Sequence, residues 1–202
     1  MNGTIALIIA YLLGSIPSGY LLVRLFKGTD VRAQGSGNIG AANVVRTSGW
    51  GIGVAVLLLD GLKGWVAAWF AGWITEPSPY GLAWMALAAF VAMVGHSFPV
   101  TLNFQGGKSV ATFFGGFLAV SPTATGAAAL VYLGGLLATR HSSVGSLLAV
   151  ITFPLGLWLI VHPGPLVIGA ALASAILVVI RHKENLQRIR EGTEPRLLSK
   201  RK

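Results

Sequence analysis

The chain contains no cysteine among its 202 residues. This absence excludes disulfide bonds, zinc sites with thiolate ligands and cysteine nucleophiles. Charged residues are also scarce, since only 10% of the chain is Asp, Glu, Lys or Arg, whereas 54% is hydrophobic. Soluble globular domains carry about 25% charged residues. The composition therefore excludes an ordinary soluble domain and indicates a membrane protein.

Acidic residues are the rarer of the two charge classes. Six Asp and Glu stand against 15 Lys and Arg, and the formal net charge is +9. Residues 181–202 hold eight basic and three acidic side chains, so this tail alone accounts for +5 of that charge. Such localised basicity argues against a nucleic-acid-binding surface. The acidic residues are too scattered to predict a metal site, and the sequence predicts no cofactor and no obligate protein partner.

Long charge-free stretches mark the predicted spans, because a transmembrane helix needs roughly 20 mainly apolar residues. Residues 141–180 are charge-free but contain His162-Pro163-Gly164-Pro165, which predicts a turn between two spans. Residues 109–139 are also charge-free, and Ser121-Pro122 could divide them. That division leaves residues 110–120 very short, so this element either borrows length from residues 104–109 or is a half-helix.

The distribution of basic residues decides the topology. Lys and Arg collect in cytoplasmic loops, so the basic tail predicts a cytoplasmic C-terminus. The loops at Lys108, at Arg140 and at residues 27–46 reach the same side only if Ser121-Pro122 is an outer turn. We therefore predict an all-α, polytopic integral membrane protein with seven transmembrane helices and the N-terminus outside. We expect one membrane-embedded domain, 1–202, with a basic cytoplasmic tail, 181–202, and an uncleaved first helix.

Two features of the spans concern packing. Asp60 and Lys63 interrupt the second span and share a helical face. They are either a structural ion pair, or a carboxylate with a snorkelling lysine, or part of a functional site. Small residues allow helices to approach closely in membranes. We expect this role for Gly14, Gly64, Gly115, Gly116, Gly134 and Gly135.

The first candidate site is a glycine-rich loop between the first two spans. Its glycines let backbone N–H groups converge on a phosphate, and its Ser and Asn side chains add donors. Arg46 could clamp the phosphate in a bidentate manner. A dinucleotide-binding loop is excluded because that motif needs a βαβ unit, although a helix-capping turn remains an alternative. The predicted residues are Gly35, Ser36, Gly37, Asn38, Gly40, Asn43 and Arg46.

The second candidate is Gly106-Gly107-Lys108 at the start of the fourth span. It is not a nucleotide-binding P-loop, because Leu102 stands where the first glycine of that motif is required. Paired glycines and a lysine at a helix N-terminus nevertheless suit an anion. A lysine that only fixes the topology is the alternative.

The third candidate follows the last span, where His182, Asn185 and Arg188 recur every three residues and would line one helical face. A topology anchor or an anionic-lipid contact would have the same appearance. Arg140 and Ser143, in the remaining inner loop, are further candidates. Three phosphate-suited segments on one side indicate a phosphorylated or acyl-phosphate substrate at the cytoplasmic interface.

Two other functions could explain polar loops in a small membrane protein. A phosphate-ester or anion transporter has broken helices with glycine-rich ends. However, the halves of the chain show no internal repeat, and the predicted outer face carries a single charge, Glu76. A structural scaffold would not need polar motifs concentrated on one side.

At this point the sequence resembles the bacterial acyl-phosphate:glycerol-3-phosphate acyltransferases of the PlsY type. The resemblance covers nearly the whole chain, and its motifs occur in order. They are Gly14-Ser15-Ile16-Pro17, Gly35 to Gly40 with Asn43 and Arg46, Asp60-Gly61-Leu62-Lys63-Gly64, Gly95-His96-Ser97-Phe98-Pro99-Val100, Gly106-Gly107-Lys108 and Arg181-His182-Lys183-Glu184-Asn185. The sequence departs from the family pattern at Ser109, usually Gly, at Gln105, often Lys, and at Ala42, often Thr.

The resemblance implies a seven-helix bacterial inner-membrane enzyme whose active site faces the cytoplasm. It would move a fatty acyl group from acyl phosphate to the 1-hydroxyl of glycerol 3-phosphate, giving lysophosphatidate and inorganic phosphate. We expect Ser36, Asn38, Asn43 and Arg46 to hold the acyl phosphate, and Lys108, His182 and Asn185 to hold glycerol 3-phosphate. A covalent acyl-enzyme is not expected. The hydroxyl proton could pass to His182 or to the departing phosphate, and we favour the phosphate.

Overall fold

The computed structural model describes residues 2–76 and 78–197. Within these ranges the chain is helical and contains no β-strand. Ten α-helices follow one another: α1 Asn2–Gly14, α2 Ser18–Lys27, α3 Ala41–Ser48, α4 Trp50–Thr75, α5 Gly81–Ser97, α6 Val110–Val120, α7 Pro122–Thr139, α8 Ser142–Val161, α9 Pro165–Arg181 and α10 Lys183–Arg190. The all-α prediction is therefore confirmed for the described residues.

Five segments of the described chain are long and apolar enough to cross a membrane: Asn2–Lys27, Trp50–Thr75, Gly81–Leu102, Pro122–Thr139 and Ser142–Val161. A sixth is added if α9 and α10, which meet at a 55° bend, count as one span. The chain is thus a multi-helix membrane protein. The count of seven stays a prediction, because its remaining member is the short helix α6.

Helix α6 explains this difference. It has 11 residues, and at 1.5 Å per residue it is only about 16 Å long, roughly half the hydrocarbon thickness. Residues 103–109 do not extend it, because they form an irregular loop. Of the two alternatives, the half-helix is therefore the correct one. Ser121 caps α7 by accepting a hydrogen bond from the Ala124 N–H, and Pro122 begins that helix, as the sequence predicts.

The surface and the core reverse the pattern of a soluble protein. Large apolar side chains are exposed around the helices, including Leu130 and Leu137 at 71% and 68% exposure. Fully buried positions include many alanines, among them Ala68, Ala89 and Ala171. Because lipid is as apolar as the core, close contact between small residues holds the helices together.

Five of the six glycines predicted to allow close packing do so. A side chain at Gly115 would meet the carbonyl of Gly61, and one at Gly64 would meet the carbonyl of Thr112, so α4 and α6 lie backbone to backbone. Gly14, Gly116 and Gly135 have similar close neighbours in Ala92, Ala89 and Gly145. The prediction is wrong for Gly134, which faces open space.

The close contact of α4 with α6 and the packing of α9 on α5 bring four segments together. These are the loop before α3, the loop before α6, the start of α8 and the segment from His182 onward.

Candidate active site

A cavity of about 900 Å³ lies where these segments meet. One part is polar and holds side chains from all three of the predicted phosphate-suited segments. The other part is an apolar groove between α4, α6 and α7. The polar part includes Ser36, Asn38, Gly40, Asn43, Arg46, Lys108, Ser143, His182 and Asn185, and the groove includes Leu57, Leu58, Trp65, Phe114, Leu118 and Leu133.

The first loop is built around the buried amide of Asn43. Its Nδ2 donates to the carbonyls of Gln34 and Asn38, at 3.0 and 2.9 Å, and its Oδ1 accepts from the Ser36 N–H at 2.9 Å. These bonds use both ends of the amide within the loop. The sequence suggests that Asn43 holds phosphate, whereas its bonds in the structure show that it shapes the loop.

The glycines of this loop also support its conformation. Gly35 and Gly37 have φ of +57° and +69°, a region that side chains other than glycine rarely adopt. A side chain at Gly35 would also collide with Asn43 Oδ1. The N–H of Gly37 donates to Gln34 O, and that of Gly40 donates to Asn38 Oδ1 at 2.7 Å.

The donors that this loop offers to a ligand come from the start of α3. The first N–H groups of a helix have no partner within it, and Ala41 and Ala42 begin α3 at the cavity wall. Ser36 and Arg46 lie beside them, with the Arg46 Nη2 3.4 Å from Ser36 Oγ. Burial holds the pKa of Arg46 below its usual range, but an arginine remains cationic at neutral pH.

The second loop is held by backbone bonds on both sides. The N–H of Gly106 donates to Ser97 O at 3.1 Å, and that of Gly107 donates to His96 O at 3.0 Å. Arg181 donates from Nη2 to Gly106 O and from Nε to Gly107 O, at 2.9 and 3.1 Å. The N–H groups of both glycines therefore bond within the protein, and the part of Gly106 and Gly107 in substrate binding stays a prediction.

Glycine is needed at these two positions because of space. A side chain at Gly106 would collide with the His96 carbonyl, and one at Gly107 would collide with the imidazole Nε2 of the same residue. Gly106 and Gly107 thus contribute to the site by letting the loop pack directly against His96. This places Lys108 at the cavity.

Ser109 stands where the family pattern usually has Gly, and the loop nevertheless keeps its conformation. Its φ is +60°, which suits glycine better than serine. Its hydroxyl, however, lies 2.7 Å from Met93 O, to which it donates, and 2.7 Å from Ser97 Oγ. These buried bonds offset the strain of the backbone. The Gln105 N–H donates to Leu102 O, and Ala42 lies at the cavity wall.

Lys108 joins the second and third segments. Its Nζ donates to Asn185 Oδ1. Burial, with a smaller contribution from the nearby Arg188, lowers the pKa of Lys108 to about 8. A bound anion would favour the charged form of this side chain.

The third segment changes direction at His182, between α9 and α10. His182 is buried and its Nδ1 lies 2.8 Å from Val178 O. Because a carbonyl can only accept, Nδ1 carries the proton and Nε2 is left as the acceptor. His182 and Asn185 both line the cavity. Arg188 is not among the residues that line the cavity, although the sequence predicts that it shares their face, and its Nε donates to Glu194 at 2.8 Å.

Glu194 is a residue of the site that sequence reasoning missed. Its carboxylate accepts from Asn185 Nδ2 at 2.6 Å and from Arg188 Nε at 2.8 Å. Burial raises the pKa of this carboxyl, but the hydrogen bonds from Asn185 and Arg188 leave the pKa below its usual range. The carboxylate therefore orients Asn185 so that Asn185 Oδ1 faces Lys108.

The loop between α7 and α8 contributes less than expected. Ser143 is buried and lines the cavity. Arg140 has a φ of +63° and is exposed, and its carbonyl accepts a hydrogen bond from the Leu197 N–H at 2.9 Å. Arg140 thus anchors the tail, and the cavity wall includes Pro195 and Leu197 of that tail.

Two residues of the long helices α4 and α5 also reach the cavity. Asp60 of α4 and His96 of α5 lie in its wall. The predicted ion pair is present, with Lys63 Nζ 2.8 Å from Asp60 Oδ1.

Comparison with known proteins places the chain among related enzymes. The family model for glycerol-3-phosphate acyltransferase matches residues 4–192. The glycerol-3-phosphate acyltransferase of Geobacter sulfurreducens is 43% identical over 97% of this chain and 98% of its own length. The one from Anaeromyxobacter sp. (strain Fw109-5) is 45% identical over 96% of each chain.

Solved structures agree with these relatives. The glycerol 3-phosphate form of PlsY (YgiH), an integral membrane glycerol 3-phosphate acyltransferase, superimposes with a TM-score of 0.90 at 38% identity, covering 97% of this chain and 96% of that one. Its lysophosphatidic acid form superimposes with a TM-score of 0.87 at 37% identity, covering 97% and 95%. The chain therefore belongs to the glycerol-3-phosphate acyltransferase family of integral membrane acyltransferases.

Proposed function

We propose that this enzyme transfers a fatty acyl group from acyl phosphate to the 1-hydroxyl of glycerol 3-phosphate, releasing lysophosphatidate and inorganic phosphate. One observation carries the proposal: a single cavity joins a cationic part, at Arg46 and Lys108, to an apolar groove between three helices. Such a cavity suits two phosphates and one acyl chain. The relatives whose structures contain glycerol 3-phosphate and lysophosphatidic acid support the acceptor and the product.

The acyl phosphate would lie with its phosphate at the start of α3. The free N–H groups of Ala41 and Ala42 favour an anion there, and Ser36 and Arg46 lie within reach of each other on the same side. Asn38 and Asn43 hold the loop in shape. The acyl chain would occupy the groove between α4, α6 and α7, beside Leu57, Leu118 and Leu133.

Glycerol 3-phosphate would bind through Lys108, His182 and Asn185. Lys108 supplies a cation and Asn185 lies next to it. Helix α6 begins directly after this loop at Val110, so its positive end adds to the field. Two phosphates repel each other at short range, which accounts for the presence of both Arg46 and Lys108 in one cavity.

The transfer is written as a direct displacement. The 1-hydroxyl oxygen attacks the acyl carbonyl, the bond between that carbon and the phosphate oxygen breaks, and phosphate leaves. A mixed anhydride is already activated, so the enzyme mainly positions the substrates and stabilises negative charge. The hydroxyl proton passes to the departing phosphate in the route that we favour, and His182 Nε2 is the alternative acceptor.

We further propose that the chain forms a single membrane-embedded domain with seven spans in a bacterial inner membrane. The half-helix α6 counts as the fourth span, the N-terminus lies outside and the active site faces the cytoplasm. The support is the placement of the Lys- and Arg-bearing loops around one cavity and the excess of such residues in cytoplasmic loops.

The function is tested with purified protein, acyl phosphate and labelled glycerol 3-phosphate. Formation of lysophosphatidate without any gradient would support the proposal. If no product forms, or if product forms only when acyl-CoA replaces acyl phosphate, the proposed donor is wrong. Comparing wild type with His182→Ala over a range of pH identifies the proton acceptor. Retained binding of both substrates with loss of the acidic limb of the rate profile, where a protonated imidazole cannot accept the proton, would favour His182.

A further inference from the structure

We propose that Asp60, Lys63 and His96, called here the Asp60 cluster, position the loop before α6 that carries Lys108, called here the Lys108 loop. In that position the loop binds the phosphate group of glycerol 3-phosphate. The inference rests on the proposed function, and the three residues act on phosphate binding through Lys108. All three side chains are buried, with 2%, 6% and 4% of their surfaces exposed. They come from the middle of α4 and from the last turn of α5.

The first connection within the cluster is ionic. Asp60 Oδ1 lies 2.8 Å from Lys63 Nζ and 3.5 Å from His96 Nδ1. A buried carboxylate costs several kcal/mol unless a cation compensates for it. The Lys63 ammonium provides this compensation, and the carboxylate attracts the Nδ1 edge of the imidazole.

The second connection runs from the cluster to the first span. Lys63 Nζ donates to the carbonyl of Ile16 at 2.7 Å. Ile16 lies in the break between α1 and α2, where Pro17 has no N–H to donate. The ammonium therefore ties α4 to this break.

The third connection runs from His96 to the Lys108 loop. The His96 carbonyl accepts from the Gly107 N–H at 3.0 Å. The Nε2 edge of its ring lies directly against Gly107, where a side chain could not fit. The residue that follows Gly107 is Lys108, so a rotation of the His96 ring would change the position of this lysine.

The Asp60 cluster differs from ordinary core residues in where it lies. Asp60 and His96 line the cavity. On the same part of α4, Gly61 and Gly64 lie against the backbone of α6 at Gly115 and Thr112. Both ends of the Lys108 loop, His96 on one side and α6 on the other, are thus fixed by one stretch of α4.

A charge-removal series tests the proposal. Lys63→Met leaves the Asp60 carboxylate without its cation, and we expect the melting temperature in detergent to fall by about 10 °C. Asp60→Val/Lys63→Met removes both charges, and we expect the melting temperature to return to within about 5 °C of wild type. If the Asp60–Lys63 pair had only a structural role, this double variant would also have the activity of wild type.

The positioning role predicts that the double variant keeps a kinetic defect. We expect its KM for glycerol 3-phosphate to be raised at least about tenfold, with the KM for acyl phosphate within about twofold of wild type. Inorganic phosphate should also raise its melting temperature less than that of wild type. A wild-type KM for glycerol 3-phosphate in the folded double variant overturns the inference.

Two further variants complete the test. If the double variant does not fold, His96→Asn keeps the ion pair and an Nδ1-like donor but removes the ring edge at Gly107. The same KM defect then supports the inference, and a wild-type KM overturns it. Ser174→Ala is the control, since Ser174 is buried within α9 and donates to Ala170 O. Failure of the proposed function would appear separately, as an inactive wild-type enzyme.

Discussion

Single side chains of this site divide between those that face the cavity and those that hold the loops. Lys108, Arg46 and the buried His182 face the cavity, whereas the Asn43 amide and the glycines of both loops hold backbone in place. The sequence located both groups, because Gly, Asn and Lys are typical of phosphate loops. It could not separate their roles, since this depends on which backbone groups each side chain meets.

Lys108 carries the first prediction at this scale. We expect Lys108→Met to lower kcat/KM for glycerol 3-phosphate by about 10²- to 10³-fold, because a half-buried cation at the proposed phosphate site is lost. The measurement is steady-state turnover in detergent. Lys183→Met is the matched control, since Lys183 is exposed on α10 and its loss should have little effect. Near-normal turnover of Lys108→Met would remove Lys108 from the site.

The pH dependence follows from the same residue. The pKa of Lys108 is lowered to about 8, so the fraction of cationic lysine falls as the pH rises through 8. The phosphate of the substrate has its second pKa near 6 and no longer titrates in this range. We expect kcat/KM for glycerol 3-phosphate to decline above about pH 8.

Lys108→Arg checks this assignment, because arginine stays charged up to a pH of about 12. We expect the variant to be less active but to lack the decline above pH 8. An unchanged decline in the arginine variant would assign the titration to another group.

Glu194 and His96 show what sequence reasoning missed at the level of residues. Glu194 acts on Asn185 only because the chain after α10 folds back to Arg140, and no local pattern predicts this return. His96 lies in an apolar span, and its charged neighbour is 36 positions away at Asp60. The Asp60–Lys63 pair, by contrast, was predictable, because a spacing of three places both side chains on one helical face.

At the scale of helices, proline and charge gave reliable boundaries. The breaks at Ser121-Pro122 and at residues 162–165 lie where the sequence predicts them. The length of α6 was not decided by composition, because residues 104–109 are mostly uncharged but are committed to the loop by their bonds to Ser97, His96 and Arg181. Close packing was predictable for small residues in general, whereas Gly134 shows that the partner must be known as well.

The next prediction concerns the contact between α4 and α6. Gly115→Ala would place a methyl group against the Gly61 carbonyl, so α4 and α6 must move apart. We expect a loss of about 1–3 kcal/mol in stability, measured as a lower melting temperature in detergent. Activity should fall as well, because α6 begins next to Lys108.

Gly134→Ala is the control for this substitution. Gly134 is also helical but faces open space, and alanine is the better helix former by about 1 kcal/mol. We expect its melting temperature to stay the same or to rise. Equal destabilisation of both variants would contradict the backbone contact between α4 and α6.

At the scale of the whole molecule, the open question is how the helices lie across the bilayer. The exposed leucines, isoleucines and tryptophans cover the helix surfaces, which fits a lipid environment. The cavity gathers loops that the distribution of basic residues assigns to the cytoplasm. That side stays a prediction from charge, and the sequence could not predict the docking of the C-terminal tail on Arg140.

The topology is testable because the chain has no cysteine. Single cysteines at Glu76 and His162 should react with a membrane-impermeant thiol reagent from outside in sealed, right-side-out vesicles. Cysteines at Arg140 and Lys183 should react only in inverted vesicles. Labelling of Arg140 and Lys183 from opposite sides would refute the seven-span arrangement and a shared cytoplasmic site.

The short helix α6 has a consequence for the substrates. A helix that extends only about 16 Å leaves room below the membrane surface for the loop that carries Lys108. In the proposed function, this opening would admit water to the level of the acyl chains, so a hydrophilic acceptor and a fatty donor would meet without either leaving its own phase. An ordinary full-length helix at this position would fill the space where the two are proposed to react.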